Sequence, residues 1–210
     1  GLGDVYKRQS SLIAIRGVGR WVRASRSRLA GMPSARGVLA WHLLADHLDL
    51  VAAPVAAAAQ RVPLAEVTEI DAELADTAAF CTAYDVAPEA SANCVVVEGR
   101  RAERTVRAAV MVLAIDRADI NKVVRKHLDV RKLSFMSQEA AQELTGMRQG
   151  GITPVGLPED WLILVDDAVA AAGPVVIGAG VRGAKLLVDG AALAALPNAE
   201  VLSLHVPRTA

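Results

Sequence analysis

Gly150-Gly151-Ile152-Thr153-Pro154-Val155-Gly156-Leu157-Pro158 sets three glycines and two prolines within nine residues. It stands between a helix pattern closed by Gly146 and a strand pattern at Trp161–Val165. Glycine lets the backbone take positive φ and lets another group come close. Proline fixes its own φ and restrains the residue before it. Such a loop is stiff, yet bare of side chains where the glycines sit. It suits presentation of backbone N–H groups to a carbonyl or phosphate oxygen. A tight connection with no ligand is the plain alternative, because Gly and Pro punctuate most loops.

Upstream of this loop the period of the apolar residues changes along the chain. Val38–Ala59 reads as a helix with a rough Leu/Val stripe, kinked or ended by Pro54. Val62–Ile70 alternates weakly, as a strand does. Asp71 is placed to cap a helix running to about Tyr84, which makes Cys81 a core residue. Cys94–Glu98 and Thr105–Ala114 predict a β-hairpin turned at Gly99-Arg100-Arg101. Asp116 and Asp119 predict a helix cap, with the helix reaching about Leu128. Lys132–Phe135 reads as a short strand, and Ser137 caps the helix that Gly146 closes. Downstream, strands are expected at Val175–Ile177, Leu186–Val188 and Val201–Val206, with a helix at Ala191–Leu196. Strands and helices alternate irregularly. That pattern predicts the α+β class, with one mixed sheet and helices packed around it. The strands on both sides of the Gly-Pro loop are needed for one core, so the loop is no domain boundary.

Composition narrows the chemistry. Of 210 residues, 53% are hydrophobic and 22% charged, enough for a packed core and against disorder. Aromatics are 3%, so an aromatic platform for stacking bases is not expected. The formal net charge is zero, which gives no general electrostatic grip on nucleic acid and leaves a local patch open. No apolar run is long enough for a membrane span. Cys81 and Cys94 are too few and too far apart for a disulfide framework or a zinc motif. They point to a reducing compartment such as the cytoplasm. The four histidines are scattered, and no metal site is expected.

Two stretches invite misreading. Gly178-Ala179-Gly180-Val181-Arg182-Gly183 matches G-x-G-x-x-G after a strand. A dinucleotide fingerprint needs a helix directly afterwards, and Ala184–Asp189 reads as a strand instead. A glycine-rich turn facing the Gly150 loop is the better reading. Residues 1–36 are rich in arginine, carry one acid, Asp4, and open without methionine. They read as a sequencing scar or upstream read-through, with Met32 as the expected true start. A basic arm and a transit peptide are the alternatives. The domain is accordingly expected over residues 37–210.

From about Leu43 to Val206 the chain resembles the YbaK family, also called the prolyl-tRNA synthetase-associated or bacterial editing domain. The resemblance rests on Ala92-Asn93-Cys94-Val95-Val96, the segment Asp116–Leu128, and Leu144-Thr145-Gly146 leading into the Gly150–Pro158 loop. Val165-Asp166 and Gly178-Ala179-Gly180 with Arg182-Gly183 add to it. It implies a strongly curved mixed sheet, a partial barrel with surrounding helices. The implied function is hydrolysis of the ester in tRNA mischarged with a small amino acid, without metal or organic cofactor. The partners it implies are mischarged aminoacyl-tRNA and an aminoacyl-tRNA synthetase.

On that resemblance the Gly150 and Gly151 amides form the oxyanion hole, and Thr153 and Pro154 shape the pocket. Gly178 and Gly180 complete the substrate-binding wall, and Asp166 holds the substrate ammonium. A buried Asp166 capping its own backbone is the alternative. The family usually carries a lysine where this chain has Asn93, a side chain that donates a hydrogen bond but brings no charge. Three outcomes follow. Asn93 serves a slower enzyme, another cation such as Lys185 or Arg182 reaches in, or the domain binds charged tRNA without cutting it. Restoring the lysine, Asn93→Lys, is expected to raise hydrolysis. Cys94 has no assignable base and reads as a small buried strand residue.

Overall fold

The computed structural model describes residues 34–207; the expectations for residues 1–33 lie outside them. In chain order the elements are β1 (His42–Leu43), α1 (Ala53–Ala58), β2 (Glu66–Glu69), α2 (Thr77–Tyr84), β3 (Ala92–Arg101), β4 (Arg104–Leu113) and β5 (Asp116–Ala118). There follow α3 (Arg125–His127), β6 (Lys132–Phe135), α4 (Gln138–Thr145), β7 (Leu162–Asp166) and α5 (Asp167–Ala171). The described chain ends with β8 (Pro174–Gly178), β9 (Ala184–Asp189), α6 (Gly190–Ala194), β10 (Ala199–Leu202) and β11 (His205–Pro207). The protein is therefore α+β with mixed sheets, as its irregular alternation of patterns predicts.

The centre is the β3–β4 hairpin, paired antiparallel from Ala92↔Leu113 to Arg101↔Arg104. β4 is an almost unbroken apolar run because it is covered on both faces. Ala109, Met111 and Leu113 enter the larger core, while Val106, Ala108, Val110 and Val112 enter a second one. β4 continues into parallel pairing with β7, and β7 with β10; β6 covers the other edge of β3 only from Val97 to Arg100. β1, β2, β9 and β8 form a second, antiparallel sheet, and β11 with β5 a small third one. One bridge, Ser91↔Val176, links the first sheet's leading edge to β8. The strands thus fall in three hydrogen-bonded sets where the sequence reading has one sheet. The two larger sets part at the Ala92–Val96 edge of β3, which β6 leaves uncovered.

α4 is built as its sequence dictates. The Ser137 hydroxyl accepts from the Ala140 N–H, and Gly146 ends the helix at φ +66°, a conformation that costs glycine little. Beyond it, Met147, Val155 and Leu157 are buried in the larger core and pin the Gly-Pro loop in place.

Several sequence expectations shift. Val38–Ala59 is not one helix but β1, short 3₁₀ turns and α1, and Pro54 sits in the first turn of α1. Proline has no N–H to lose there, so it starts the helix rather than ending one. Asp71 caps only a 3₁₀ turn, and α2 begins one turn later behind Asp76. The hairpin turns at Ala102-Glu103, not at Gly99. Gly99 stays in the strand because Val130 packs within 2.7 Å of where its Cβ would stand. Asp116 belongs to β5, and Asp119 alone caps the following turn, which is a π-turn running into α3. The last strand is split into β10 and β11, and α5 has no counterpart in the sequence reading. Ala35 is buried, and the Ser34 carbonyl accepts from Ala87 at 2.9 Å. Arg36 pairs with Glu66. Packing in the described chain therefore begins ahead of the expected boundary at residue 37.

Candidate functional site

Where the two larger sheets part lies a cavity of about 300 Å³. β3 contributes Ala92–Val96, the end of β6 and the start of α4 contribute Phe135, Met136, Gln138 and Ala141, and the Gly-Pro loop contributes Gln149, Gly150 and Ile152. Gly178 and Lys185 come from β8 and β9, and Ala75, Asp76 and Thr77 from the head of α2. The volume stands at the lower end of small-molecule sites, so it fits a small group.

The structure brings three of the sequence-predicted residues together on this cavity: Asn93, Gly150 and Gly178. Gly151 stands directly behind them. A Cβ on Gly178 would run into the Gly151 carbonyl, and that carbonyl also accepts from Gly180 N–H at 2.6 Å. The two glycine-rich segments are thus locked face to face, with Arg148 N–H donating back to the Gly180 carbonyl at 2.8 Å. The G-x-G-x-x-G stretch serves as the turn between antiparallel β8 and β9.

The remaining candidates lie elsewhere. The Gly151 N–H is already donated to the Arg148 carbonyl at 2.9 Å, so it is not free for an oxyanion. No described group accepts the Gly150 N–H. Gly180 packs on Ala52 and Val55, away from the cavity lining. Thr153 is fully buried, and its hydroxyl has no partner among the described residues. Pro154 lines a second cavity of about 370 Å³ with Arg61, Glu159 and Asn198.

Asp166 is buried outside the cavity lining, and its carboxylate is fully engaged. It accepts from Ala168 N–H at 3.0 Å, Leu204 N–H at 2.7 Å, His205 N–H at 2.9 Å and His205 Nδ1 at 3.0 Å. This is the capping role, not a site for a substrate ammonium. Asp166, Asp167 and His205 hold ligand-type atoms within 4.8 Å of one another. The hydrogen bonds that Asp166 already accepts account for that grouping.

Three side chains give the cavity its chemistry, and two of them, Thr77 and Asp76, lay beneath the sequence signal. The Thr77 hydroxyl donates to Asn93 Oδ1 at 2.6 Å and fixes that amide. Asp76 heads α2, yet its carboxylate makes no capping bond. Lys185 is 6% exposed and, among the described residues, is the one buried cation. Its Nζ donates to the Ala75 carbonyl at 2.8 Å and lies 5.1 Å over the Phe80 ring. Burial pulls its ammonium down from 10.5 to about 8, helped by Arg182 and opposed by Cys81 and Asp76. Arg182 itself lies on Gly150, with Nη1 2.7 Å from a Cβ position there, and donates to Ala72 O. Both cations named from the sequence as substitutes are at the site, Lys185 in its wall and Arg182 against its loop. Cys94 packs on the larger core, and burial pushes its thiol up to about 12, so it holds no thiolate.

The profile of the aminoacyl-tRNA editing domain matches residues 71–196, more than half of the chain, and the chain belongs to that family. Its fold is similar to a crystal structure described as a candidate trans-editing enzyme for prolyl tRNA synthetase, with 22% identity and a TM-score of 0.63. That match covers 73% of this chain and 95% of the other. A computationally designed epitope scaffold is similar at 22% identity and TM-score 0.63, covering 74% and 97% of the two chains. A protein described as hypothetical is similar at 21% identity and TM-score 0.56, over 63% and 85%. No curated protein matches the chain. Among the described residues, no helix is long and apolar enough to cross a membrane.

Proposed function

We propose that the protein is an aminoacyl-tRNA deacylase acting in trans on tRNA mischarged with a small amino acid. The observation that carries this reading is the meeting of Asn93 and Gly150 on one cavity of about 300 Å³ within an editing-domain fold. The reaction adds water to the ester carbonyl. The C–O bond to the terminal ribose then breaks, and the water's proton goes to the leaving ribose hydroxyl. Negative charge gathers on the carbonyl oxygen in between, and preorganised donors lower that barrier; loss of one donor typically costs about 3 kcal/mol. Gly150 N–H is the donor with no acceptor of its own, and the Thr77-held Asn93 amide is the second. The volume, at the lower end for small-molecule sites, favours a small side chain.

The same proposal takes one editing domain over residues 37–210, joined at its start by the packed Ala35 and Arg36, with the mixed sheets read as a strongly curved, partial barrel. It places the protein in the cytoplasm, in company with a synthetase. The test is a deacylation assay over tRNAs charged with alanine, cysteine, serine and larger amino acids. Release confined to the small ones is the expected result. Binding of charged tRNA with no release on any of them would make this a silent binder, the alternative that the missing lysine at position 93 favours.

A further inference from the structure

Five aspartates in the described chain stand at helix N-caps: Asp71, Asp76, Asp119, Asp166 and Asp189. Four of them accept a backbone N–H from the helix they head. Capping is what aspartate ordinarily does there. Asp76 alone does not, and Asp76 alone of the five lines the cavity. Its carboxylate is exposed and is held in no hydrogen bond among the described residues. In the same wall is Lys185, whose ammonium has three protons and one described acceptor, Ala75 O. No carboxylate oxygen among the described residues lies within ion-pair distance of it, and Asp76 acts on it only through space. A buried cation with no acid in direct contact is costly to the fold, and a ligand that offers it a further acceptor lowers that cost.

We propose that the cavity recognises an α-aminoacyl group by its two polar ends, Asp76 taking the α-ammonium and Lys185 the acyl carbonyl oxygen. This rests on reading the cavity as the aminoacyl site. What it adds is the pair of residues that reads this group: Asp76 for the free α-amine, which N-blocked and peptidyl groups lack, and Lys185 for the carbonyl. The geometry suits that pairing. Asp76 sits toward solvent at the helix head, while Lys185 is deep, on β9 opposite Gly178. A carbonyl oxygen between Lys185 and the Gly150 loop would meet donors from two sides. The side chain of a small amino acid would face Ala92, Val96 and Ala141, all apolar and buried.

The experiment is equilibrium binding by the full chain of 3′-deoxy-3′-(L-alanylamino)adenosine, in which an amide replaces the labile ester. Its N-acetyl form, which has no ammonium, is the comparison. The expected result is binding of the free amine about tenfold or more tighter than the blocked form, the scale of one charge-assisted hydrogen bond. Asp76→Asn should erase that ratio. Lys185→Met should weaken both ligands at least about tenfold and leave the ratio intact; Lys185→Gln, which keeps a donor, should fall between. Melting curves on each variant separate lost binding from lost fold. Equal affinity for the two forms, no affinity for either, or an unchanged ratio in Asp76→Asn overturns the proposal. The deacylation assay stands apart from this: a protein that discriminates free from blocked amine but releases nothing keeps this inference and loses the deacylase reading.

Discussion

Asp166 and Asp76 occupy the same local position, one residue ahead of a helix, and they do opposite things. Asp166 is fully buried and gathers three backbone N–H groups and a histidine ring. It ties the end of β7 to the chain beyond β10. Asp76 is exposed, gathers nothing, and faces a cavity. An acid whose lone pairs are all taken builds the fold, and an acid left uncommitted beside a buried lysine is available to a ligand. Removing the fold-building acid, Asp166→Ala, should therefore cost the most stability. It strands the N–H groups of Leu204 and His205, at about 1–3 kcal/mol for each buried unsatisfied donor. Urea denaturation should show a loss of several kcal/mol, with the alanylamino ligand still bound by the fraction that remains folded. Asp76→Asn should show the reverse, with stability within about 0.5 kcal/mol of the parent and ligand discrimination gone. If Asp166→Ala removes discrimination in folded protein, the contrast is broken.

Lys185 sharpens the contrast because it should separate stability from binding. The fall of its ammonium from 10.5 to about 8 corresponds to about 3 kcal/mol against the charged form in the folded state. Burial is the main cause, with Arg182 adding to it and Cys81 and Asp76 working the other way. The folded protein gives up its proton first, so the unfolded chain binds more protons between about pH 8 and 10.5. Stability should accordingly rise with pH across that window and be flat in this respect below it. Lys185→Met should remove the rise. At neutral pH it gains from the lost buried charge and loses from the orphaned Ala75 carbonyl, about 1–3 kcal/mol. The expected net is a protein as stable as the parent or slightly more so, and a poor binder. Chemical denaturation at pH 7 and 9.5 checks both signs. A strongly destabilised Lys185→Met would mean that the lysine is there for the fold.

The sequence spoke most clearly where local chemistry decides structure. Ser137, Gly146 and the β-branched runs of β3 and β4 need only their neighbours to act; α4 forms as read, and the hairpin forms with its turn moved on to Ala102-Glu103. The meeting of the Gly150 loop with Asn93 was expected through the resemblance, which rests on the specific loop motif and the order of the other segments, although Asn93 itself departs from the family's lysine. Asp166 stood between two readings because a strand-end aspartate looks the same whether it caps or binds; burial and the approach of Leu204 and His205 from 38 and 39 residues away favour the cap. Asp76 stayed hidden behind Asp71, since two aspartates five residues apart are equal capping candidates and only α2's true start tells them apart. This revises one expectation. The sequence alone predicts that Asn93→Lys raises hydrolysis. With Lys185 in the cavity wall and Arg182 against the Gly150 loop, a third cation should break the Thr77–Asn93 hydrogen bond and add like charge. A several-fold drop in ligand affinity is expected, and a gain would mean that Lys185 does not serve the substrate.

The mildest effect belongs to the Asp166 side and is read by pH alone. His205 is raised above its ordinary 6.5, first by its hydrogen bond to Asp166 and then by the charge of that carboxylate, with Asp116 and Asp167 adding. A histidine held more strongly when protonated stabilises the fold fully below pH 6.5. That contribution is lost as pH rises through its elevated value. The ring is partly exposed to solvent, so the change is a small step in melting temperature measured from pH 5.5 to 8. His205→Gln should flatten the step while leaving the Leu204 and residue-205 backbone bonds to Asp166 in place. It should leave binding at the cavity untouched, since neither Asp166 nor His205 lines it. If instead the alanylamino ligand's affinity follows the His205 titration, the two aspartates are energetically coupled, and the division between a fold-building acid and a ligand-reading acid would have to be redrawn as one network.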